Sequence, residues 1–147
     1  MRLWHESLIP YLPRQQLLGQ HRECCALRGN GWGKPHSVVN YVFDHPYEWL
    51  WVYHMKVMRE MTNRGFHIDP DWLIMGYQGR SKPKRIYYPP KQAPKVETSG
   101  MYPAPDMHTL LYKLRADVLV YPEHNDAYLQ ECKANLLSKG IDLTEVI

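Results

Sequence analysis

A chain of 147 residues, 44% hydrophobic and 22% charged, is most economically one domain with a real core, which sets aside disordered and fibrous classes. Its net charge of +3 is too mild to prove a nucleic-acid partner by itself, and no run of ~18 or more apolar residues and no signal-peptide pattern points to a membrane or to export. Three cysteines, two of them adjacent, suit reduced thiols in a cytoplasm, and eleven Tyr and five Trp against two Phe favour wet interfaces and base stacking as well as cores.

Residues 1–12, MRLWHESLIPYL, are mixed in character and broken by Pro10, and they read as an ordered arm rather than a helix or strand. Arg2 follows the initiator directly. Methionine aminopeptidases act before small residues, so Met1 is expected to be retained. Its α-amine, with a pKa of ~7.7–8.0, is neutral in roughly one molecule in seven at pH 7, which makes it the most nucleophilic amine available without special tuning. An ordinary terminus would simply fray.

Residues 13–29, PRQQLLGQHRECCALRG, read as one amphipathic helix, with Pro13 suited to the first turn and Gly29 to the stop. At 100° per residue, Leu17, Leu18, His21, Cys24 and Cys25 fall in one arc of roughly 120° that is predicted to pack. Glu23 points away from the centre of that arc. Gln16, Gly19, Gln20 and Arg22 surround its carboxylate, and Arg28 closes the helix. A carboxylate framed by amides, bare backbone and cations suits a catalytic acid in a cleft; a solvated outer face carrying one acid is the plainer alternative.

Residues 28–36, RGNGWGKPH, form a flexible, donor-rich loop carrying Lys34 and His36. It lacks the Gly-Lys-Ser/Thr ending of a P-loop, so it is either a backbone cradle for phosphates or a connector. His21, Cys24, Cys25 and His36 are not expected to bind zinc, because adjacent helical cysteines diverge by 100° and no C-x-x-C spacing occurs. A short apolar run over 38–43 leads to a helix start at Asp44-His45-Pro46, and a strongly helical pattern continues to Arg64 and stops at Gly65. Leu50, Tyr53, His54, Val57, Met58 and Met61 form its core stripe, with His54 read as a packing residue. Phe66-His67-Ile68 turns the chain back.

Residues 80–95, RSKPKRIYYPPKQAPK, hold six basic residues, four prolines and no acid. Proline excludes helix over most of this stretch, and Tyr77, Tyr87 and Tyr88 supply faces for stacking. It reads as a nucleic-acid-contacting loop or as a solvated linker. Residues 108–115 suggest a short helix and 118–121 an extended piece. A last helix is expected from Pro122 to Gly140, with Ala127, Leu129, Cys132, Leu136 and Leu137 available for packing. The expected fold is mainly α: a compact single domain of three main helices with long connecting loops.

Three separated stretches resemble one family, the pyrimidine-dimer DNA glycosylases of the phage endonuclease V type. They are the arm, the first helix with its Gln-Leu-Leu-x-x-x-Arg-Glu register through Arg22 and Glu23, and the second helix with its Arg64-Gly65-Phe66-His67-Ile68 ending. A weaker likeness continues at Tyr121-Pro122-Glu123-His124. The resemblance implies a DNA repair glycosylase with abasic-site lyase activity that acts on damaged duplex DNA as a monomer, with no metal or organic cofactor. The terminal amine would attack the sugar's anomeric carbon, expel the base and form an imine, and a glutamate on the first helix would assist β-elimination. Mapped here, the catalytic pair is Met1 and Glu23, and Arg22 matches a family arginine that contacts DNA. Arg2, Gln16, Arg28, Lys34, Lys82, Lys84 and Arg85 complete the expected DNA contacts.

The departures are specific. Met1 stands where members expose a small residue, and Gln16 stands where the best-known member has His. Ala26 falls near the place of a second DNA-binding arginine, and Arg28 is only close to it. A basic aromatic tail is replaced by the acidic ending IDLTEVI, while an insertion at about 78–107 carries the basic, tyrosine-rich segment. The alternatives are a catalytically inactive DNA-binding module of the same fold and an RNA-directed or interaction protein using only the basic loop.

Overall fold

Two long helices pack on one another, and the N-terminal arm threads between them and a third. In the computed structural model, which describes residues 2–88 and 101–147, α1 spans Arg14–Arg28 and α2 spans Tyr47–Asn63. A seven-residue α3 covers Met107–Lys113, and α4 covers Asp126–Ser138. Short 3-10 helices lie at Glu6–Tyr11, Asn40–Asp44 and Pro70–Leu73. Met1, the expected nucleophile, lies outside the described residues, as do residues 89–100, which include the end of the basic segment. The mainly helical fold is as expected. The departure is a pair of short parallel strands, β1 (Ile86–Tyr88) and β2 (Met101–Pro103), with Tyr87 opposite Tyr102. No helix among the described residues is long and apolar enough to cross a membrane.

The helix ends follow local chemistry. α2 stops where Gly65 adopts a left-handed φ of 82°, which costs a glycine nothing. At the end of α1, Gly29 has φ −92°, so its need is for space: a Cβ there would lie 2.8 Å from the Gln78 carbonyl oxygen. α4 begins at Asp126 rather than at Pro122, because the Asn125 side chain accepts from the Tyr128 N–H and caps the helix four residues later than proline suggests.

The arm is core. Leu3, Leu8 and Leu12 are essentially fully buried with Leu17, Cys24 and Leu27 of α1, Leu50, Tyr53 and Val57 of α2, and Cys132 and Leu136 of α4. Three buried leucines contribute about 5–9 kcal/mol by transfer, comparable with the ~5–15 kcal/mol net stability of a whole domain, so the arm cannot peel away cheaply. Its one buried acid, Glu6, pairs with Lys56 and accepts from the Val120 N–H at 2.8 Å. This burial also rotates α1. The buried residues are Leu17, Gln20, Cys24, Leu27 and Arg28, a stripe turned roughly 70° from the expected one toward Gln20. Leu18, His21 and Cys25 are only half-buried, and Glu23 comes to the edge of the buried stripe.

Candidate active site

Side chains from three helices, with His124 just before the last of them, hold the backbone of the arm. The Trp4 carbonyl accepts from the Tyr53 hydroxyl at 2.6 Å, and the Leu3 carbonyl from the Tyr128 hydroxyl at 2.5 Å. The His5 N–H donates to Cys132 Sγ, and the Glu6 N–H to His124 Nδ1. On α1, Gln20 bonds the Arg2 carbonyl and the Trp4 N–H, and the Arg2 N–H donates to Glu23 Oε2 at 3.2 Å. Three helices thus hold the arm at the carboxylate. Residue 23 faces a cavity of about 260 Å³ lined by Arg2, Trp4, Glu23, Val38, Asn135 and Lys139. A larger cleft of about 470 Å³ lies between the start of α2 and the Tyr102–Thr109 stretch, but it carries neither Glu23 nor the arm. Both hold acids and cations, and the smaller of the two is the one that adds Arg2 at the head of the chain.

The expected DNA-contacting residues divide into three groups. Arg22 is exposed and Gln16 half-buried on α1, on the same helix as Glu23. Lys34 and Lys82 meet at the glycine loop: Lys34 shares a shallow cleft with Gly29, Gly31 and Gln78, and Lys82 Nζ donates to the Gly29 carbonyl at 3.3 Å. Lys84 is exposed. The remaining arginines are engaged within the fold. Arg2 reaches Glu131 at 3.4 Å and lies against the Trp4 and Tyr128 rings, and Arg85 lies 4.2 Å from the Tyr47 ring centroid and 3.7 Å from that of Tyr102.

Arg28 is a correction. It is 0% exposed, and its guanidinium donates to the Trp72, Ile74 and Tyr77 carbonyls, to the Tyr47 hydroxyl and to His54 Nδ1. A cation sealed in this way ties the end of α1 to the 72–77 loop and has no donor to offer a phosphate.

Comparison with known families matches residues 1–74 to the model for pyrimidine dimer DNA glycosylases, half of the chain. The chain belongs to the pyrimidine dimer DNA glycosylase family. This is a family of DNA repair glycosylases, whose substrate is DNA. No curated protein and no solved structure matches the chain. The matched stretch contains the arm, all of α1 and all of α2, and therefore every arm and α1 group of the cavity around Glu23. Asn135 and Lys139 lie outside it and are contributed by α4 and the residue that caps it.

Within this glycosylase fold, His21, Cys25 and His54 bring their ligating atoms within 4.8 Å of one another, a cluster the sequence reading did not assemble because His54 comes from α2; His36, by contrast, is exposed and apart. The cluster's own chemistry argues against a cation. Arg28 donates to His54 Nδ1 at 2.9 Å, which puts the ring proton on Nε2, the nitrogen facing His21 at 2.8 Å. A metal at that nitrogen would have to displace a proton beside a buried guanidinium. Burial also pushes the Cys25 thiol up to about 11, away from the thiolate a metal prefers. Sequence reasoning set Gln20 beside Glu23 without giving it a role, and it missed Trp4, Asn135 and Lys139 at the site. Gln20 was visible as an amide one turn before Glu23, but its burial depends on an arm whose other anchors lie at positions 53, 124, 128 and 132.

Proposed function

We propose that the protein excises a damaged pyrimidine, a pyrimidine dimer in the first instance, from duplex DNA by nucleophilic attack of the Met1 α-amine and then nicks the strand as an abasic-site lyase. The neutral amine's lone pair forms a bond to C1′ as the glycosidic electrons leave with the base. Opening of the C1′–O4′ bond, with a proton delivered to O4′, leaves a cationic imine. A base takes a proton from C2′, the electrons of that C–H bond flow into the imine, and their return expels the 3′ phosphate. Glu23 stabilises the cationic sugar and moves the protons.

The observation that carries this reading is the hydrogen bond between the Arg2 peptide nitrogen and Glu23 Oε2, made inside a cavity open enough to admit a sugar. Three covalent bonds separate that nitrogen from the α-amine, so bond lengths alone keep the amine within about 4 Å of it. A carboxylate on a buried helix edge and the head of the chain are thereby coupled, which a solvated outer face does not require.

The experiment is borohydride trapping on an abasic duplex, followed by mass spectrometry of the adduct, with ultraviolet-irradiated plasmid scored for nicks. A covalent adduct on Met1 that disappears when the terminus is acetylated is the expected result. An adduct that survives acetylation would move the nucleophile to a lysine, with Lys139 in the cavity the first to test. Binding without any adduct or nick would leave a DNA-binding module without the chemistry.

A further inference from the structure

We infer that Gln20 is a positioning residue for this reaction, setting the arm and the Glu23 carboxylate at a fixed separation. The inference rests on the roles proposed above for Glu23 and the terminal amine. Gln20 is 1% exposed and uses its full hydrogen-bonding capacity. Oε1 accepts from the Trp4 N–H at 2.7 Å and from the Tyr53 hydroxyl at 3.0 Å, while Nε2 donates to the Arg2 carbonyl at 2.9 Å and to Glu23 Oε2 at 3.2 Å. The orientation of the amide is dictated by its partners. A backbone N–H can only donate and a backbone carbonyl can only accept, so the reversed amide would forfeit both hydrogen bonds to the arm.

The two ends of this amide serve different purposes. The oxygen ties the arm to α2 through Tyr53, which is a folding contact. The nitrogen bridges Arg2 and Glu23, the two residues whose spacing matters for chemistry. The Arg2 N–H and Gln20 Nε2 both engage Oε2, and Oε1 of Glu23 carries no hydrogen bond among the described residues. Gln20 therefore fixes which carboxylate oxygen is engaged, as well as how far it stands from the head of the chain.

Two variants separate the roles. Gln20→Glu keeps an acceptor for Trp4 and Tyr53 but turns the donor facing Arg2 and Glu23 into a second acceptor. At neutral pH its single-turnover rate of borohydride trapping should fall about 10–100-fold, the scale of a small misplacement of reacting groups, with affinity for abasic duplex within about twofold of the parent. Lowering the pH should narrow that gap, because the introduced carboxyl regains an O–H donor when protonated. Gln20→Met, neutral and of similar length, should show the loss without the recovery, and it serves as the test should the charged variant fail to fold. Trapping by either folded variant at the parental rate overturns the inference, as does a loss of trapping matched by an equal loss of DNA affinity, which is the signature of a disordered arm. If the parent itself forms no adduct, the amine reading falls and this inference with it; if the parent traps and the variants trap equally, only the role of Gln20 falls.

Discussion

The peptide nitrogen of Arg2 donates to Glu23 Oε2 at 3.2 Å, joining the head of the chain to the middle of α1 across 21 residues of sequence. The contact is one of a series. Backbone groups of residues 2–6 are held by side chains from α1, α2 and α4 and by His124 just before α4, so the arm is set before any DNA arrives. Preorganisation of this kind would favour the attack proposed for the Met1 amine.

Glu23→Gln keeps the shape of the side chain and an oxygen able to accept from Arg2, while removing the charge. Cleavage of abasic or dimer-containing duplex should fall by about 10²-fold or more, with binding near that of the parent. Strand-nicking rates beside a binding titration check this. Parental cleavage by the variant would remove α1 from the active site.

Much of this arrangement was legible in advance. α1 and α2 fall within a residue or two of their predicted ends because Pro13, Gly29 and Gly65 punctuate them, and all six residues of the predicted α2 stripe are buried. The buried face of α1 was misjudged for a physical reason: periodicity counts apolar side chains, whereas here a buried amide, Gln20, and a buried guanidinium, Arg28, occupy the packed side. Both are satisfied by partners distant in sequence, which no local pattern reveals. The arm was undervalued in the same way, since Tyr53, Tyr128 and Cys132 hold it from the second and last helices and His124 from the turn before the last. Glu23 was singled out because small and polar neighbours framed it, and one of those neighbours, Gln20, ties down the arm.

Lys82 and Lys84 are exposed, Lys82 beside the glycine loop, whereas Arg85 is clamped between two tyrosine rings. Replacing both lysines with Ala should weaken binding to damaged and undamaged duplexes alike and make the slope of log affinity against log salt shallower by up to about 0.9 for every phosphate the variant no longer neutralises. Arg85→Ala should instead lower stability to unfolding, by about 0.5–2 kcal/mol for each of the two cation–ring interactions it removes. An unchanged slope in the lysine variant would assign the segment to linker.

Arg28 makes the opposite demand. Arg28→Met fills part of the space but strands the Trp72 carbonyl and the His54 ring nitrogen and leaves the Ile74 and Tyr77 carbonyls with only the Tyr77 N–H and the Tyr47 hydroxyl, so unfolding stability should drop by about 3 kcal/mol or more. Urea titration measures the loss. Protein that remains folded should bind DNA with the parental salt slope, since no phosphate contact has been removed; a shallower slope would return Arg28 to the interface.

The arm should also be sensitive to acid through His124. Its Nδ1 accepts from the Glu6 N–H at 3.2 Å and its Nε2 bonds the Tyr41 hydroxyl at 2.8 Å, while burial, with His5 stacked nearby, lowers its pKa to about 3. An unfolded histidine titrates near about 6.5. Between those values the unfolded chain takes up a proton that the folded chain refuses, so the contribution is fully present above about 6.5 and is lost as pH falls toward 3, at up to about 1.4 kcal/mol per pH unit. His5, His21 and His54 are lowered by burial in the same direction and steepen the decline. Stability measured by urea unfolding should therefore fall by at least about 2 kcal/mol between pH 7 and pH 5. His124→Gln retains an acceptor for Glu6 and a donor for Tyr41 but cannot titrate, so its decline over that range should be visibly shallower. Equal slopes for parent and variant would show that His124 is protonated in the folded state and that another group carries the acid sensitivity.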